Sequence, residues 1–294
     1  MKSGYGVVVG RPNVGKSTLL NVLVGSKVSI VTHKPQTTRF TLNGIVNLDG
    51  GQLVLIDTPG IFQPKTQLDR YMVKSARESI EVVDIVLYMV EATDKEVSDA
   101  DRVIIEVLKD VGVPKILVLN KIDTLKNKAE FWDAVECYQK YLSFSEVVPI
   151  SAVAGTNIDV LKEKILQYLP EGEPLYPDDI LTDKSEREVA AEIIREKLVN
   201  LLKQELPYST AVKIEEFKDR NERLSYIRAV IYTEKDSQKG IIIGKNGETL
   251  KKIGRLAREE LEAVLGRKIF LDLWVKVLPN WRNDIQKLKM LGYK

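Results

Sequence analysis

Gly10-Arg11-Pro12-Asn13-Val14-Gly15-Lys16-Ser17-Thr18 decides how the first half of this chain is read. The stretch fits G-x-x-x-x-G-K-[ST] and lies between a β-rich run at residues 6–9 and a helical pattern at 17–24. In such a loop successive backbone N–H groups converge on phosphate oxygens, and the helix that follows adds its partial positive charge. Lys16 is placed to reach the β- and γ-phosphates of a nucleotide, and the Ser17 hydroxyl to ligate Mg2+.

Outward from this loop, β-rich runs at 53–56, 85–90, 115–119 and 147–149 alternate with helical patterns such as 98–110. Strands separated by crossover helices predict an α/β domain with a doubly wound, mainly parallel sheet and its ligand at the carboxyl ends of the strands. Asp57-Thr58-Pro59-Gly60 follows one of these runs, which puts a carboxylate where it can hold magnesium through water and the Gly60 N–H where it can meet a γ-phosphate. D-x-x-G is worth little alone, since about one chance copy is expected in a chain of this length. Its position after the phosphate loop is what makes it informative.

The base is chosen by Asn120-Lys121-Ile122-Asp123, at the end of the apolar run 115–119. The Asp123 carboxylate can accept from both N1–H and the 2-amino group of guanine, whereas adenine offers an acceptor at N1 and has no 2-amino group. A site built on such bonds rejects the analogue strongly, because the wrong base leaves buried polar groups unpaired. Asn120 can support the base at N7, and the Lys121 stem can cover the ring. Ser151-Ala152, after another strand, is expected to present backbone N–H groups to guanine O6.

These elements in this order resemble the TRAFAC class of P-loop GTPases. Gln36-Thr37-Thr38-Arg39 looks like that class's switch I motif, with Thr38 the magnesium ligand and Thr37 the fallback; the plain alternative is a surface turn. Ile61 stands where small GTPases carry a catalytic glutamine, so no side chain there can orient water. Asn13 matches the position of the monovalent-cation ligand in potassium-activated GTPases, where K+ stands in for an arginine finger. Lys16, Thr38, Gly60 and Asn13 are therefore the groups expected to act on the reacting phosphate. The segments 28–40 and 60–77 are the expected switches.

With 294 residues the chain has room for two cores. Its composition, 44% hydrophobic and 29% charged, excludes general disorder, and no apolar run reaches the length needed to span a bilayer. A single Cys137 suits a reducing cytosol, and both it and the only histidine, His33, are read as non-functional. The formal charge of +2 conceals an asymmetry. Residues 184–294 hold 24 Lys+Arg against 17 Asp+Glu, net +7, and residues 1–183 hold 20 against 25, net −5. A basic C-terminal domain suggests a polyanionic partner, with a solvated basic face as the alternative.

Pro170-Glu171-Gly172-Glu173-Pro174-Leu175-Tyr176-Pro177 reads as a linker. Beyond it the pattern predicts a helix at 185–205, strands at 211–217 and 224–233, a Gly-containing turn, a helix at 248–265, a strand at 269–277 and a last short helix, in the order α-β-β-α-α-β-α, whose first helix after the two strands is given no bounds. Gly244-Lys245-Asn246-Gly247 lies between an apolar run and the 248–265 helix, the setting of the G-x-x-G loop of a KH domain. The two glycines let the backbone approach an RNA or single-stranded DNA backbone, while Lys245, Lys251, Lys252 and Arg255 supply charge.

A GTPase domain followed by a smaller α+β KH domain with its helix first, the type II order, resembles the Era family over essentially the whole chain. Asp57-Thr58-Pro59-Gly60, the 169–174 stretch and Leu273-Trp274-Val275-Lys276-Val277-Leu278-Pro279-Asn280-Trp281 also look like that family's. The expected division is a GTP-binding domain at 1–169, a linker at 170–183 and a KH domain at 184–294. The resemblance implies a cytoplasmic monomer that binds GTP and GDP with Mg2+ and contacts the 3′ region of small-subunit ribosomal RNA. It also implies a role in assembling that ribosomal subunit, and loose association with the inner face of the membrane. A signalling GTPase with a protein-binding C-terminal domain, and a constitutive RNA-binding protein with a structural nucleotide, are the rival readings.

Overall fold

The computed structural model describes every residue except His33, Pro35, Gln36 and Lys294, and the side chain of Lys128. The expectations for His33 and Gln36 therefore fall outside the described residues. The chain divides into two compact units: Met1–Ser29, Thr38–Pro64 and Met72–Asp183 form the first, and Ile30–Thr37, Lys65–Tyr71 and Lys184–Lys294 the second.

In the first unit the chain runs β1 (Lys2–Val9), α1 (Lys16–Val24), β2 (Leu42–Leu48), β3 (Gly51–Asp57), α2 (Gln67–Glu81, of which residues 72–81 belong to this unit), β4 (Ile85–Glu91) and α3 (Asp99–Lys109). It continues with β5 (Lys115–Asn120), α4 (Lys128–Gln139), β6 (Glu146–Pro149) and α5 (Ile158–Tyr168). The sheet order is β2-β3-β1-β4-β5-β6, parallel except for the antiparallel edge strand β2. Central strands such as β3 and β4 read as continuous apolar runs because helices cover both faces. Val7, Val9, Val86 and Tyr88 pack against Ala76 and Ile80 of α2, Ile104 and Leu108 of α3, and Tyr138 of α4. Val8, Leu87, Met89 and Val118 point the other way, onto Leu19 and Leu23 of α1 and Leu161 and Ile165 of α5. Alternation along each strand thus builds both halves of the core. Cys137 is free and buried in it.

Strand β2 escapes the sequence reading, because Leu42-Asn43-Gly44-Ile45-Val46-Asn47-Leu48 breaks its alternation with a glycine. Residues 170–176 lie against the starts of β1 and β3, and residues 178–183 run along this edge. Ser3 N donates to the Pro170 carbonyl at 3.0 Å, Ile45 N to the Leu181 carbonyl at 3.0 Å, and the Gln52 side chain bonds Leu175 N at 2.8 Å and Tyr176 N at 2.9 Å.

The second unit contains α6 (Glu186–Leu201), β7 (Ala211–Asn221), β8 (Leu224–Thr233), α7 (Asp236–Ile243), α8 (Glu248–Leu265), β9 (Lys268–Val277) and α9 (Ile285–Met290). Helix α6 opens on a capping box of Ser185 and Glu188. It stops at Leu201, short of the expected 205, because Leu202 is extended, Gln204 is left-handed (φ 54°) and Pro207 opens a 3-10 turn. In the sheet β7-β8-β9, β8 pairs antiparallel with β7 and parallel with β9. Ile227, Ala229 and Ile231 of β8 bury one face against Ile193 and Leu198 of α6 and Ile253, Ala257 and Leu261 of α8. Trp281 is fully buried, its Nε1 donating to the Ser209 carbonyl at 3.0 Å.

Candidate functional site

The loop between β1 and α1 sits at the carboxyl end of the sheet, where a doubly wound fold places its ligand. Gly15 adopts φ +107°, and a Cβ there would lie 2.4 Å from Asn120 Nδ2, so only glycine fits. Lys16 is buried, with its Nζ donating to the Gly10 and Arg11 carbonyls at 2.9 and 3.0 Å. Burial lowers its pKa to about 8, against the opposing charges of Asp57 and Asp101. Phosphate oxygens in front of the loop would restore the ammonium's preference for charge.

Asp57 is wholly buried at the end of β3. Its Oδ2 accepts from Ser17 Oγ at 2.7 Å, Ser29 Oγ at 2.9 Å and Thr38 Oγ1 at 3.4 Å, and Thr38 Oγ1 lies 3.2 Å from Ser17 Oγ. Its Oδ1 is buried with no hydrogen-bond partner. Burial pushes this carboxyl up despite those hydroxyls. A buried carboxylate with one oxygen orphaned and the other ringed by hydroxyls suits a hard cation that takes oxygen ligands. Ser17, Thr38 and Asp57 would hold Mg2+, directly or through water. Of the two threonines, Thr38 faces the carboxylate, while Thr37 Oγ1 is engaged with Thr32 Oγ1 and the Lys34 carbonyl. Ser29 was invisible to motif reading; Asn21, which binds the Val28 and Ser29 N–H groups at 2.9 and 2.8 Å, sets its position. Among the described residues no trio of His, Cys, Asp or Glu comes together to hold a different metal.

Arg11 does not turn its guanidinium to the loop. It forms a fork with Asp94, at 2.7 Å to each oxygen, and meets the wholly buried Asp101 at 3.0 Å. The Tyr138 hydroxyl donates to Asp94 at 2.9 Å, and the Tyr88 hydroxyl to Asp101 at 3.2 Å. Burial works against the charge of Arg11, but the two carboxylates hold its pKa above the usual value. The phosphate loop is thereby tied to α3 and α4. Pro12 and the exposed Asn13, left-handed at φ 67°, form the tip, Val14 packs into the core, and Thr18 continues α1.

At the base end, Asn120 joins three motifs. Its Nδ2 donates to the Val14 carbonyl at 2.7 Å and its Oδ1 accepts from Ala152 N at 2.9 Å. Ser151 N is paired with the Thr156 carbonyl at 3.2 Å. These two bonds fix the 151–152 backbone beside Asn120. Lys121 is left-handed (φ 66°) and pairs with Glu91 at 2.5 Å, while Asp123 is exposed in the 3-10 turn that follows β5. Thr58 Oγ1 donates to the Val8 carbonyl at 3.2 Å, which fixes the start of Asp57-Thr58-Pro59-Gly60; Gly60 lies beside Pro12. Ile61 is buried with Ile56 and Ala76.

In the second unit, Gly244 (φ 74°), Asn246 (φ 53°) and Gly247 (φ 77°) turn the chain tightly between α7 and α8. A Cβ at Gly244 would lie 2.3 Å from Thr249 Oγ1. Lys245 and Asn246 stand exposed at the tip. Ile253, Ala257 and Leu261 are the buried stripe of α8, leaving Lys251, Lys252 and Arg255 outward; Arg255 is paired with Glu259 at 3.0 Å.

Known proteins share both parts. The family described as "50S ribosome-binding GTPase" matches residues 6–121, and the family described as "KH domain" matches residues 205–282. GTPase Era of Caldicellulosiruptor saccharolyticus is 50% identical over 293 residues, covering 99% of this chain and 97% of that protein. GTPase Era of Ruminiclostridium cellulolyticum is 48% identical over 293 residues, covering 100% and 98%. The chain belongs to the Era family of GTPases. Among solved structures, an Aquifex aeolicus Era variant bound to GDP and AlF4− is 44% identical with a TM-score of 0.93, over 100% of this chain and 99% of that one. Era in complex with MgGDPNP and nucleotides 1506–1542 of 16S ribosomal RNA matches with the same identity, score and coverage.

As an Era-family enzyme the chain hydrolyses GTP to GDP and phosphate. Its own residues do this by positioning and charge. The loop backbone and Lys16 would cradle phosphates, Arg11 and Asn120 brace the loop from behind, and Ser17, Thr38 and Asp57 would hold Mg2+, which would supply charge that offsets that of the phosphates. With Ile61 committed to the core, no side chain at that position orients the attacking water.

Proposed function

We propose that this chain is a GTP-driven switch that binds the 3′ region of small-subunit ribosomal RNA and acts in assembling that subunit. The observation that carries the reading is the pairing, in one chain, of a magnesium–nucleotide site with a left-handed Gly244–Gly247 turn whose charged tip is open to solvent. The two ribosomal subunits named by its relatives differ. The full-length relative at 44% identity was solved with 16S RNA, and it is more specific than a family match confined to residues 6–121.

The proposal assigns GTP to residues 10–18, 57–60, 120, 121, 123, 151 and 152, and RNA to Gly244, Lys245, Asn246, Gly247, Lys251, Lys252 and Arg255. It divides the chain into a G domain at 1–169, a connecting segment at 170–183 and a KH domain at 184–294. K+ at Asn13 supplies the charge that an arginine finger provides elsewhere. The protein is taken as a cytoplasmic monomer, with loose membrane contact implied by the resemblance alone. No helix among the described residues is long and apolar enough to cross a membrane. A GTP state that binds RNA more tightly requires RNA to tighten GTP by the same factor.

The test measures 16S 3′-end RNA affinity with GDP and with a non-hydrolysable GTP analogue at one stated salt concentration, in wild type and in Lys245→Asp/Asn246→Asp. RNA binding falls sharply in the variant while GTP binding survives. Unchanged RNA binding removes the loop as the site, and equal affinity in both nucleotide states leaves two independent binding domains.

A further inference from the structure

The helices of the second unit cover one face of the β7-β8-β9 sheet. On the other face Tyr226, Val230 and Tyr232 of the central strand are buried, but Phe270 and Trp274 of β9 are 57% and 54% exposed, although large aromatic side chains are normally taken into a core. They are not loose. Tyr226 of β8 stacks on Phe270 with centroids 5.7 Å apart, and Trp274 Nε1 donates to Asp272 Oδ2 at 3.0 Å. The same carboxylate oxygen accepts from the Tyr226 hydroxyl at 3.1 Å and Arg228 Nε at 3.2 Å, so its charge is spent on orienting the rings. The Arg220 guanidinium lies 5.1 Å from the Tyr226 centroid and 5.8 Å from that of Phe270, and no ion pair of Arg220 occurs among the described residues.

Charge selects the occupant. At or beside the outward positions stand six cations, Lys213, Lys218, Arg220, Arg228, Lys268 and Lys276, against four carboxylates, Glu215, Glu216, Asp272 and Glu262, the last paired with Lys268 at 3.0 Å. Flat aromatic faces beside an excess of cations match a polyanion that carries rings of its own, namely a nucleic acid strand with unpaired bases. Phe270 and Trp274 are four residues apart in an extended strand, about 13 Å, so each offers a separate seat for a base.

We propose that the outward face of this sheet is a second RNA surface, distinct from the Gly244–Gly247 loop, on which Phe270 and Trp274 stack unpaired bases of single-stranded RNA while Arg220 and Arg228 meet its backbone. The inference rests on the RNA-binding reading of this unit, and its test lets the two fail separately. The probes are a short oligouridine that fills only the loop, about four nucleotides, and a long one that reaches both faces. They are titrated against the full chain with Mg2+ and a non-hydrolysable GTP analogue. In a Trp132→Phe background, where Trp281 is buried and shielded from the probe, the fluorescence of Trp274 is quenched by the long oligouridine and not by the short one. Phe270→Ala with Trp274→Ala weakens the long probe about fivefold or more per ring removed and leaves the short probe and GTP turnover unchanged. Arg220→Glu, a change at an exposed side chain, weakens the long probe and lowers its salt dependence. Lys245→Asp/Asn246→Asp abolishes the short probe's binding and leaves Trp274 quenching by the long one detectable. Equal long-probe affinity in wild type and the double alanine variant, with no quenching, overturns the proposal and leaves the face to a protein partner. Short-probe binding unaffected by the aspartates overturns the loop reading instead.

Discussion

The nucleotide site and the RNA loop both receive anions, by opposite means. Lys16, Asp57, Asn120 and Ser151 are buried and held by one another or by backbone. Lys245 and Asn246 stand in solvent on a turn made by three left-handed residues. Buried, pre-aligned groups cannot adapt, so they discriminate sharply between ligands that differ by one hydrogen bond. An exposed loop that reads backbone and charge discriminates little and depends on salt. The contrast is between a site that selects by the cost of a mismatch and one that selects by shape.

Asp123→Asn tests base choice at an exposed carboxylate that the buried Asn120 leads into. GTP affinity should fall by about a thousandfold or more, with preference moving to xanthine nucleotides, whose C2 oxygen can accept from the new amide. Competition binding with GTP, XTP and ATP measures this, and wild type that binds ATP as tightly as GTP removes the assignment of residues 120–123. Next in size is Arg11→Ala, which leaves the wholly buried Asp101 without its cation and should cost about 3–5 kcal/mol of stability in urea unfolding. Adding Asp101→Asn should recover part of that loss, and an unchanged midpoint would mean that the network does not hold the loop.

A pair of glycines sharpens the comparison on the RNA side. Gly244→Ala forces a Cβ against Thr249 at φ +74°, and should cost about 1–3 kcal/mol and roughly tenfold in RNA affinity. Gly266→Ala, at φ +66° with nothing within 4 Å of the added carbon, should cost about 1 kcal/mol and leave RNA affinity alone. Equal RNA defects would show that strain anywhere in α8, and not the loop, governs binding. The smallest effect concerns Asn13: single-turnover GTP hydrolysis should be severalfold faster in K+ than in Na+ at matched ionic strength, and equal rates would remove potassium.

Local chemistry was readable from the sequence where a short stretch had to satisfy one ligand. The phosphate loop, the strands leading into residues 57–60 and 120–123, and the α-β-β-α-α-β-α order are of that kind. Ser29 and the pairing of Arg11 with Asp94 and Asp101 depend on residues that only the fold brings together, so no spacing announces them. Strand β2 has no strong alternation of its own; it forms because β3 offers an unpaired edge. The early end of α6 follows from a left-handed Gln204 that propensity alone does not foresee.

The return of residues 178–183 along β2 bears on solubility. An edge strand presents unpaired N–H and C=O groups on which another chain can add a strand of its own. Here Leu181 and Thr182 bridge Ile45 and Gly44, and Tyr176 and Leu175 close over Gln52. A chain ending at residue 169 would keep the phosphate loop and bare this edge. Self-association of the shortened protein at concentrations where the full chain stays dispersed would show the segment to be a guard against strand-on-strand growth as much as a connection.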